Sequence, residues 1–438
     1  MVVPLLPVVI VASLAVGVQG DADYASNTLE TLRESNTVDI RSGSNGNGWI
    51  DALQCTEGAW SEDPETSEGM ENELEGVSTG LIPTYHTASW LPEIFDAEVH
   101  LHNVHEVPRR GSVVAALLQW IPSATIRAHL VALFAYPRSL LVALNVDEDP
   151  TMIIDPLDGQ HYYRLAKGLN VSGALWTEST STLGPQGLSN LASVAIIEAR
   201  WLAGQRLGDM IAKVPSLATV SGLLGQDLFT RKNALLQHAQ TLNGIQGVRA
   251  IRWVVDDPSG RINAAALTEA AVIASKLGLT LEVAVPASEL RELSDIAASV
   301  PSVKLVVTHA GGPQHCGRPL ANCTRYMRGL ETLAQQHNVY LKFSRLAAFS
   351  TGLGYSASRP ASSSSLVRDW QEVFRKSLDW FGPHRLLFGS GFPLDGAAMP
   401  LSAFWSAARI LVQNEVMGLD EQRAILAMNA QALYLPRT

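Results

Sequence analysis

Four side chains that can bind metals or carry protons alternate with apolar residues in one short stretch of the sequence. Within Phe95–His102, every second residue is polar: Asp96, Glu98, His100 and His102. Side chains two positions apart share a face of an extended strand, so the four would form one row. This row could line the mouth of a barrel and hold a metal ion or a reactive water. The alternative is an antiparallel strand whose polar face is solvated.

Other ionisable side chains stand in or at the ends of later apolar stretches, among them His309, Arg252 and Lys342. A lone histidine in such a place is usually a satisfied structural residue. When parallel strands form a barrel, however, their carboxyl ends meet at one face, so recurring polar ends favour a common site. A guanidinium and an ammonium there suit an acidic ligand, and ordinary ion pairs with Glu282 or Glu178 are the alternative.

The frame for these side chains is a regular alternation of apolar and amphipathic stretches from residue 171 onward. After the opening stretch, the predicted strands are Val171–Trp176, Ala218–Gly222, Val248–Val255, Thr280–Val285, Val303–His309, Val339–Phe343 and Leu386–Gly389. The predicted helices are Leu188–Leu207, Arg231–Leu242, Ala264–Leu277, Ala287–Ser299, Thr324–His337 and Ser365–Phe381. The pattern predicts an α/β fold, a closed (β/α)8 TIM-like barrel. A doubly wound open sheet is the alternative, but no GxGxxG motif follows a strand.

Composition bounds the partners of the chain. Of its 438 residues 47% are hydrophobic, which is enough for a sizeable core, and its net charge of −10 argues against a nucleic-acid partner. The acidic excess lies in residues 21–93, which carry 15 Asp or Glu and 2 Arg. We predict that this segment is disordered, because it cannot bury enough apolar surface to offset its ordering entropy.

The N-terminus and an internal insertion complete the predicted organisation. Residues 1–20 are predicted to be a signal peptide, because the apolar run Leu5–Val18 is too short to span a bilayer comfortably. The run lacks a preceding Lys or Arg, so a membrane anchor or a misassigned start codon is the alternative. The barrel is predicted over residues 94–438, with an atypical insertion at 103–165. This insertion is either buried and helical or an error in the gene model, and no membrane-spanning helix is predicted in it.

Cysteines and sequons agree with a secreted or endomembrane glycoprotein. Cys316 and Cys323 are close enough in sequence to close a small loop, which suits an oxidising compartment. The third cysteine, Cys55, and the absence of CxxC spacing make a zinc–thiolate site a poor interpretation. Asn170-Val-Ser172 and Asn322-Cys-Thr324 are glycosylation sequons.

Five sequence blocks at the strand ends carry a family resemblance. They are Asp96-Ala-Glu98-Val-His100, Gly247-Val-Arg-Ala-Ile-Arg252, Thr308-His309-Ala-Gly-Gly-Pro313, Lys342-Phe-Ser344-Arg345 and Arg385-Leu-Leu-Phe-Gly-Ser-Gly391-Phe-Pro393. Together they resemble the amidohydrolase-related family (amidohydrolase type 2), and within it the fuconolactonase and pyrone-dicarboxylate lactonase branch. The corresponding family patterns are Asp-x-His-x-His, GxRGIR, xxHxGxP, KxSG and RxxxGSDxP.

The main departures from these patterns fall on charged positions. Glu98 stands for the first histidine, Arg345 for a glycine and Gly391 for the aspartate of strand eight. The resemblance implies that this aspartate binds metal and accepts a proton, and Gly391 can do neither. Strands one and eight are neighbours in a closed barrel, so Glu98 could restore the missing carboxylate. Decay of the site is the alternative, and Asp395 is a further candidate if its loop folds inward.

The resemblance implies a hydrolase that acts on a lactone or similar ester or amide bond of a small acidic molecule. Glu98, His100 and His309 would be the catalytic residues and would either hold a divalent metal ion, zinc or manganese, or orient water without a metal. Glu98 would be the general base, and Arg252 and Lys342 would bind the substrate. The alternative is a catalytically degenerate secreted barrel that keeps its mouth as a binding pocket. A decarboxylase of the wider family is a third option.

Overall fold

Eight parallel strands pair in sequence order within the described part of the chain. They are β1 (Ile94–Val99), β2 (Val171–Thr177), β3 (Thr219–Leu223), β4 (Val248–Val254), β5 (Thr280–Ala284), β6 (Lys304–Val307), β7 (Val339–Phe343) and β8 (Leu386–Phe388). The computed structural model describes residues 92–103, 155–179, 188–205, 219–223, 233–255 and 261–435, with a few residues between 105 and 152. The segment after β8 returns to β1, where the Gly391 N–H donates to the Glu98 carbonyl at 2.8 Å. The predicted (β/α)8 barrel is confirmed, and the open sheet is wrong.

Helices follow the strands in the expected alternation. The described helices are α1 (Gly159–Leu165), α2 (Leu188–Ala203), α3 (Ala234–Asn243), α4 (Ala264–Leu277), α5 (Leu290–Ser299), α6 (Thr324–Ala334), α7 (Ser363–Phe381), α8 (Leu401–Glu415), α9 (Leu419–Arg423) and α10 (Asn429–Tyr434). The bounds of α2 to α7 lie within a few residues of the prediction. Sequence reasoning missed α1 and the three helices after β8. None of the described helices is long and apolar enough to cross a membrane.

Local side-chain signals set several of these bounds. Helix α4 begins after Asn263, whose side chain accepts a hydrogen bond from the Ala266 N–H at 3.2 Å. It ends at Gly278, whose φ of 68° is the left-handed conformation of a helix C-cap. Helix α7 begins with a capping box between Ser362 and Ser365. These caps satisfy backbone groups that a helix end leaves unpaired, so they fix where each crossover helix begins or ends.

The interior of the barrel has an apolar layer with charged side chains next to it. The apolar layer is formed by Phe95, Ala97, Leu175, Ala250, Val306 and Leu387, and Leu433 and Tyr434 of α10 pack against it. Glu282 of β5 and Lys342 of β7 pair in register with Val306 and Leu387 of this layer, and the buried Glu98 and Arg252 follow Ala97 and Ala250 on β1 and β4. A separate, larger core fills the space between the strands and the outer helices.

The predicted alternation of β1 is only partly correct. Phe95 and Ala97 pack inside the barrel, whereas Val99 belongs to the outer core, so these residues do not share one face. The pairing of β1 with β2 is irregular between Asp96 and Val99, which accounts for the change of face. Asp96 accepts a hydrogen bond from the hydroxyl of Tyr162 in α1 at 2.6 Å instead of joining the row of polar groups.

Several sequence-based predictions fall on other parts of the chain. The disulfide between Cys316 and Cys323 is confirmed. The predicted signal peptide and nearly all of the predicted disordered segment lie outside the described residues. Most of the 103–165 insertion also lies outside them. Its described end pairs with the barrel, because Leu157 and His102 exchange backbone hydrogen bonds of 2.8 and 3.0 Å. Secretion stays a prediction.

Candidate active site at the barrel mouth

The carboxylate of Glu98 lies at the centre of a cluster contributed by four strands and their ends, β1, β4, β6 and β7. Its Oε1 is 3.0 Å from His309 Nε2, 3.2 Å from His100 Nε2 and 3.5 Å from Arg252 Nη1. Its Oε2 accepts a hydrogen bond from the Ser344 hydroxyl at 2.8 Å and lies 3.6 Å from Lys342 Nζ. The Glu98 side chain is fully buried. Three of the predicted site residues, Glu98, His100 and His309, are thus brought together.

Positive charge keeps Glu98 ionised despite its burial. Burial by itself would raise the pKa of the Glu98 carboxyl, but the contact with His309, the permanent cations Arg252 and Lys342, and the contact with His100 together outweigh it and hold that pKa well below the ordinary value. A carboxylate with so low a pKa is a weak proton acceptor. Both of its oxygens are also engaged. The structure therefore favours Glu98 as the partner that orients other groups over its predicted role as general base.

His309 is aimed at the cluster by an unusual backbone. It follows β6 with a φ of 55°, and Ala310, Gly311 and Gly312 continue in the left-handed region. Non-glycine residues seldom adopt this conformation, which recurs at functional sites when the surroundings hold it in place. Here the His309 N–H donates to the Ser344 hydroxyl at 3.1 Å, and the Tyr326 hydroxyl donates to the Ala310 carbonyl at 2.7 Å. At Gly312 a Cβ would overlap the Val285 carbonyl oxygen.

The tautomer of His309 follows from its contacts. Nε2 lies 3.0 Å from Glu98 Oε1 and 3.2 Å from Arg252 Nη2. It can donate to the carboxylate or accept from the guanidinium, but not both. The shorter, charge-assisted contact to Glu98 favours an Nε2–H, which leaves Nδ1 as the basic nitrogen. The His309 side chain is 24% exposed, so water and small molecules can reach it. Burial lowers the pKa of His309, and nearby cations add to this against the opposing effect of Glu98.

His100 occupies the other side of the Glu98 carboxylate. Its Nδ1 donates to the Glu178 carbonyl at 3.0 Å, because a carbonyl oxygen can only accept. In a neutral ring, Nε2 is then an acceptor that faces Glu98 Oε1, and the contact is a hydrogen bond only when His100 is protonated. Burial lowers the pKa of His100, while Glu98 acts in the opposite direction. His100 is almost fully buried, so it contacts the site through Glu98 and not through solvent.

The two predicted substrate-binding cations differ in their surroundings. Lys342 is fully buried, and its ammonium contacts Glu282 Oε1 at 2.5 Å and the Ala97 carbonyl at 2.7 Å. This is the ion-pairing alternative considered for Lys342, and it makes Lys342 a partner of Glu98 and Glu282. Arg252 is also buried, with Nε 3.8 Å from Glu178 Oε1. Its Nε and Nη1 make no hydrogen bond within the described part of the chain. Arg252 therefore keeps donors directed at the site.

A divalent metal does not fit the predicted ligands in this arrangement. Arg252 already contacts both His309 Nε2 and Glu98 Oε1, and Lys342 approaches the other oxygen of Glu98. A further dication would face two permanent positive charges, and the nearby carboxylates of Glu98, Glu282 and Glu178 already serve as their counter-charges. Among the described residues, no group of three His, Cys, Asp or Glu side chains has the arrangement of a metal site. Arginine and lysine supply the positive charge that a metal ion would provide.

Strand eight provides no metal ligand, because Gly391 stands where the family pattern has an aspartate. Asp395 does not take the place of that aspartate. Gly391 has a φ of 68°, and a Cβ there would lie 2.6 Å from Arg345 Cγ. Asp395 does fold inward, but it pairs with Arg345 at 2.9 Å. Sequence reasoning missed the contributions of Ser344, Arg345 and the Glu178 carbonyl. Ser344 and Arg345 both belong to the block that resembles KxSG. Ser344 could have been identified from the sequence, because it stands between Lys342 and Arg345 in that block.

Comparison with known proteins supports the resemblance found in the sequence. The family model described as Amidohydrolase matches residues 235–435, a range that contains Arg252, His309 and Lys342. The predicted resemblance to the amidohydrolase family is therefore confirmed. An uncharacterized protein, y4mH, from Sinorhizobium fredii is 26% identical over 164 residues, which is 36% of this chain. The match spans 48% of that curated relative, so about half of its length is represented here.

Solved structures agree in fold. An amidohydrolase from Burkholderia multivorans with bound HEPES is 17% identical, with a TM-score of 0.51 over 78% of this chain and 99% of that one. The zinc-bound form of a Burkholderia multivorans amidohydrolase is 18% identical, with the same coverage and TM-score. A probable 2-pyrone-4,6-dicarboxylic acid hydrolase from Acinetobacter baumannii is 14% identical over 78% of this chain and 98% of that one, with a TM-score of 0.48. At 17% and 18% identity, the likeness to the two Burkholderia multivorans structures shows the barrel fold.

Replacement of Glu98 by glutamine should destabilise the protein. The variant would leave Arg252 and Lys342 buried without a shared counter-charge, and breaking a buried ion pair costs about 3–5 kcal/mol. Urea unfolding of Glu98→Gln against the wild type measures this loss. Glu372→Gln is the matched control, because Glu372 pairs with Arg375 on an exposed helix face and should matter little. An equal unfolding midpoint for Glu98→Gln and wild type would contradict the central role of Glu98.

Proposed function

We propose that the protein is a hydrolase that opens a lactone or a similar ester or amide bond of a small acidic molecule. The observation that carries the proposal is the contact of 3.0 Å between the buried Glu98 carboxylate and the partly exposed His309. A buried carboxylate that orients a reachable imidazole is the arrangement of a histidine general base with its supporting acid. The amidohydrolase family match and the barrel fold support a reaction of this class.

The proposed reaction begins with a water molecule beside His309 Nδ1. The water oxygen attacks the carbonyl carbon of the substrate while Nδ1 takes one of its protons. The resulting imidazolium is stabilised by Glu98, to which its Nε2–H already points. Collapse of the tetrahedral intermediate breaks the bond between the carbonyl carbon and the leaving oxygen or nitrogen. The leaving group takes the proton from Nδ1, which yields a hydroxy acid from a lactone and regenerates neutral His309.

Positive charge at the site has two effects on this reaction. Arg252 Nη2 lies 3.2 Å from His309 Nε2. The guanidinium would stabilise the negative charge that develops on the carbonyl oxygen of the substrate. The same charge opposes protonation of His309, which keeps the imidazole neutral and able to act as a base. Ser344 fixes both members of the pair, since its hydroxyl donates to Glu98 and accepts from the His309 N–H. None of these steps is routed through a metal ion.

Replacement of His309 by asparagine should remove hydrolysis. Asparagine tolerates the left-handed backbone of position 309 but cannot take a proton, so kcat should fall by about 10²–10⁴-fold. A screen of lactones and esters of small carboxylic acids provides the substrate for the measurement. His315→Asn is the matched control, because His315 is exposed on the same loop with a φ of 54°.

Two results of this screen would contradict the proposal. One is equal hydrolysis by His309→Asn and His315→Asn. The other is a screen in which the wild type hydrolyses none of the compounds above the buffer rate. That result would favour the non-catalytic binding barrel over the hydrolase.

The pH dependence should report a histidine with a lowered pKa. Hydrolysis requires neutral His309, and activity is lost as pH falls through its pKa. That pKa lies below the ordinary value of 6.5, so the acid limb of kcat/KM should have its midpoint below pH 6.5. A pH–rate profile of the wild type measures this midpoint. A midpoint above 6.5 would contradict burial and neighbouring cations as the dominant influences on His309.

Removal of metal ions should leave the activity intact. The cations Arg252 and Lys342 occupy the contacts of Glu98 that a dication would need, so dialysis against EDTA should change neither kcat nor KM. Elemental analysis of the dialysed protein provides the control for complete removal. Loss of activity on dialysis together with recovery on addition of Zn²⁺ would show that a metal-dependent version of the reaction operates instead.

A further inference from the structure

Arg345 stands directly after β7 at the mouth of the barrel. Its guanidinium contacts Asp395 through Nη2, 2.9 Å from Oδ1, and through Nε, 3.4 Å from Oδ2. Asp395 is buried, while the Arg345 side chain is 14% exposed. The pair therefore joins a fixed carboxylate to a guanidinium that solvent can reach. The proposed reaction does not use either residue.

The backbone at this position is shaped around the arginine. Arg345 has a φ of 51°, in the left-handed region that non-glycine residues seldom adopt. Gly391, in the opposing segment, also has a positive φ, and any Cβ at that position would lie 2.6 Å from Arg345 Cγ. The stem of Arg345 therefore fits only because residue 391 lacks a side chain. Arg345 and Gly391 both depart from the family patterns, and the first departure therefore depends on the second.

The charge of Arg345 acts on the reacting groups. It contributes to the lowered pKa of both His100 and His309, after the larger effect of burial in each case. The guanidinium therefore lies near enough to both rings to affect a ligand bound beside them. A guanidinium has five N–H donors, and Asp395 faces only the Nε–Nη2 edge. Within the described part of the chain, Nη1 makes no hydrogen bond with another residue.

We propose that Arg345 is a substrate-binding residue that takes a carboxylate group of the small acidic molecule at the barrel mouth. Asp395 holds one edge of the guanidinium, and the Nη1–Nη2 edge binds the carboxylate oxygens in the two-bond geometry typical of arginine. The other candidate cations are less accessible, since Lys342 is fully buried and Arg252 lies against His309. This proposal deepens the proposed function by assigning the acidic group of its substrate, but carboxylate binding can be measured without turnover.

Titration calorimetry on the full-length protein tests this assignment. The probes are succinate and citrate, with succinamide as the uncharged counterpart of succinate. The wild type should bind a carboxylate probe and not succinamide. Arg345→Gly should weaken carboxylate binding by about tenfold or more, because a charge-assisted bidentate contact is lost. Glycine suits the left-handed backbone at this position, so the variant should fold.

Two further variants keep the test decisive. Arg345→Lys retains the charge but not the planar fork, so it should bind more weakly than the wild type and more tightly than Arg345→Gly. Arg423→Ala removes one positive charge from an exposed position in α9 and should leave binding unchanged. If Arg345→Gly does not fold, Arg345→Lys decides the question by the same measurement.

Three outcomes would overturn the assignment. They are unchanged carboxylate binding in Arg345→Gly, equal binding of succinate and succinamide, and a wild type that binds neither succinate nor citrate. Failure of the proposed function is distinguishable from each of these. A protein that binds carboxylates through Arg345 but hydrolyses no substrate would retain this inference and lose the hydrolase assignment.

Discussion

The buried carboxylate of Glu98 must be balanced by positive charge if the side chains at the barrel mouth are to keep their arrangement. An ionised carboxylate without a counter-charge would be very costly at that depth. Arg252 from β4 and Lys342 from β7 provide the balance, and Lys342 is itself shared with Glu282 of β5. The charge balance therefore ties four strands to one another. The positions of His100 and His309 follow from it, because both imidazoles contact the same oxygen of Glu98.

The chemistry of the site follows from this balance. Cations that keep Glu98 ionised also make it a weak base, so in the proposed reaction the more exposed His309 accepts the proton. The same cations occupy the contacts that a metal ion would require. Gly391 leaves room for the stem of Arg345 after β7, and the charge of Arg345 adds to that of Arg252. Compared with the family patterns, the barrel mouth lacks the carboxylate of strand eight and has an additional guanidinium after strand seven. It is therefore better suited to bind an anion than a cation.

The sequence predicts the barrel fold of this protein better than it predicts the arrangement of side chains in the candidate site. Short apolar stretches and amphipathic helices repeat regularly, so β2 to β8 and α2 to α7 could be located within a few residues. The face to which each β1 side chain points could not be predicted, because the irregular pairing between Asp96 and Val99 breaks a strict alternation. Residue types alone also could not separate Lys342, fully buried in ion pairs, from Arg345, which reaches solvent. That difference depends on strand register and on a glycine 46 positions later in the chain, neither of which has a local signal.

The central claim is that ionised Glu98 orients a neutral His309 through the Nε2–H, with Nδ1 left as the base. Nitrogen-15 NMR of histidine-labelled protein tests it most directly, because the ring nitrogen shifts report both tautomer and charge. His309→Asn identifies the resonances by their loss. At neutral pH we expect the His309 ring to be neutral with its proton on Nε2, and we expect Glu98→Gln to weaken that preference. A His309 ring that is protonated on Nδ1 or doubly protonated at neutral pH would contradict the account.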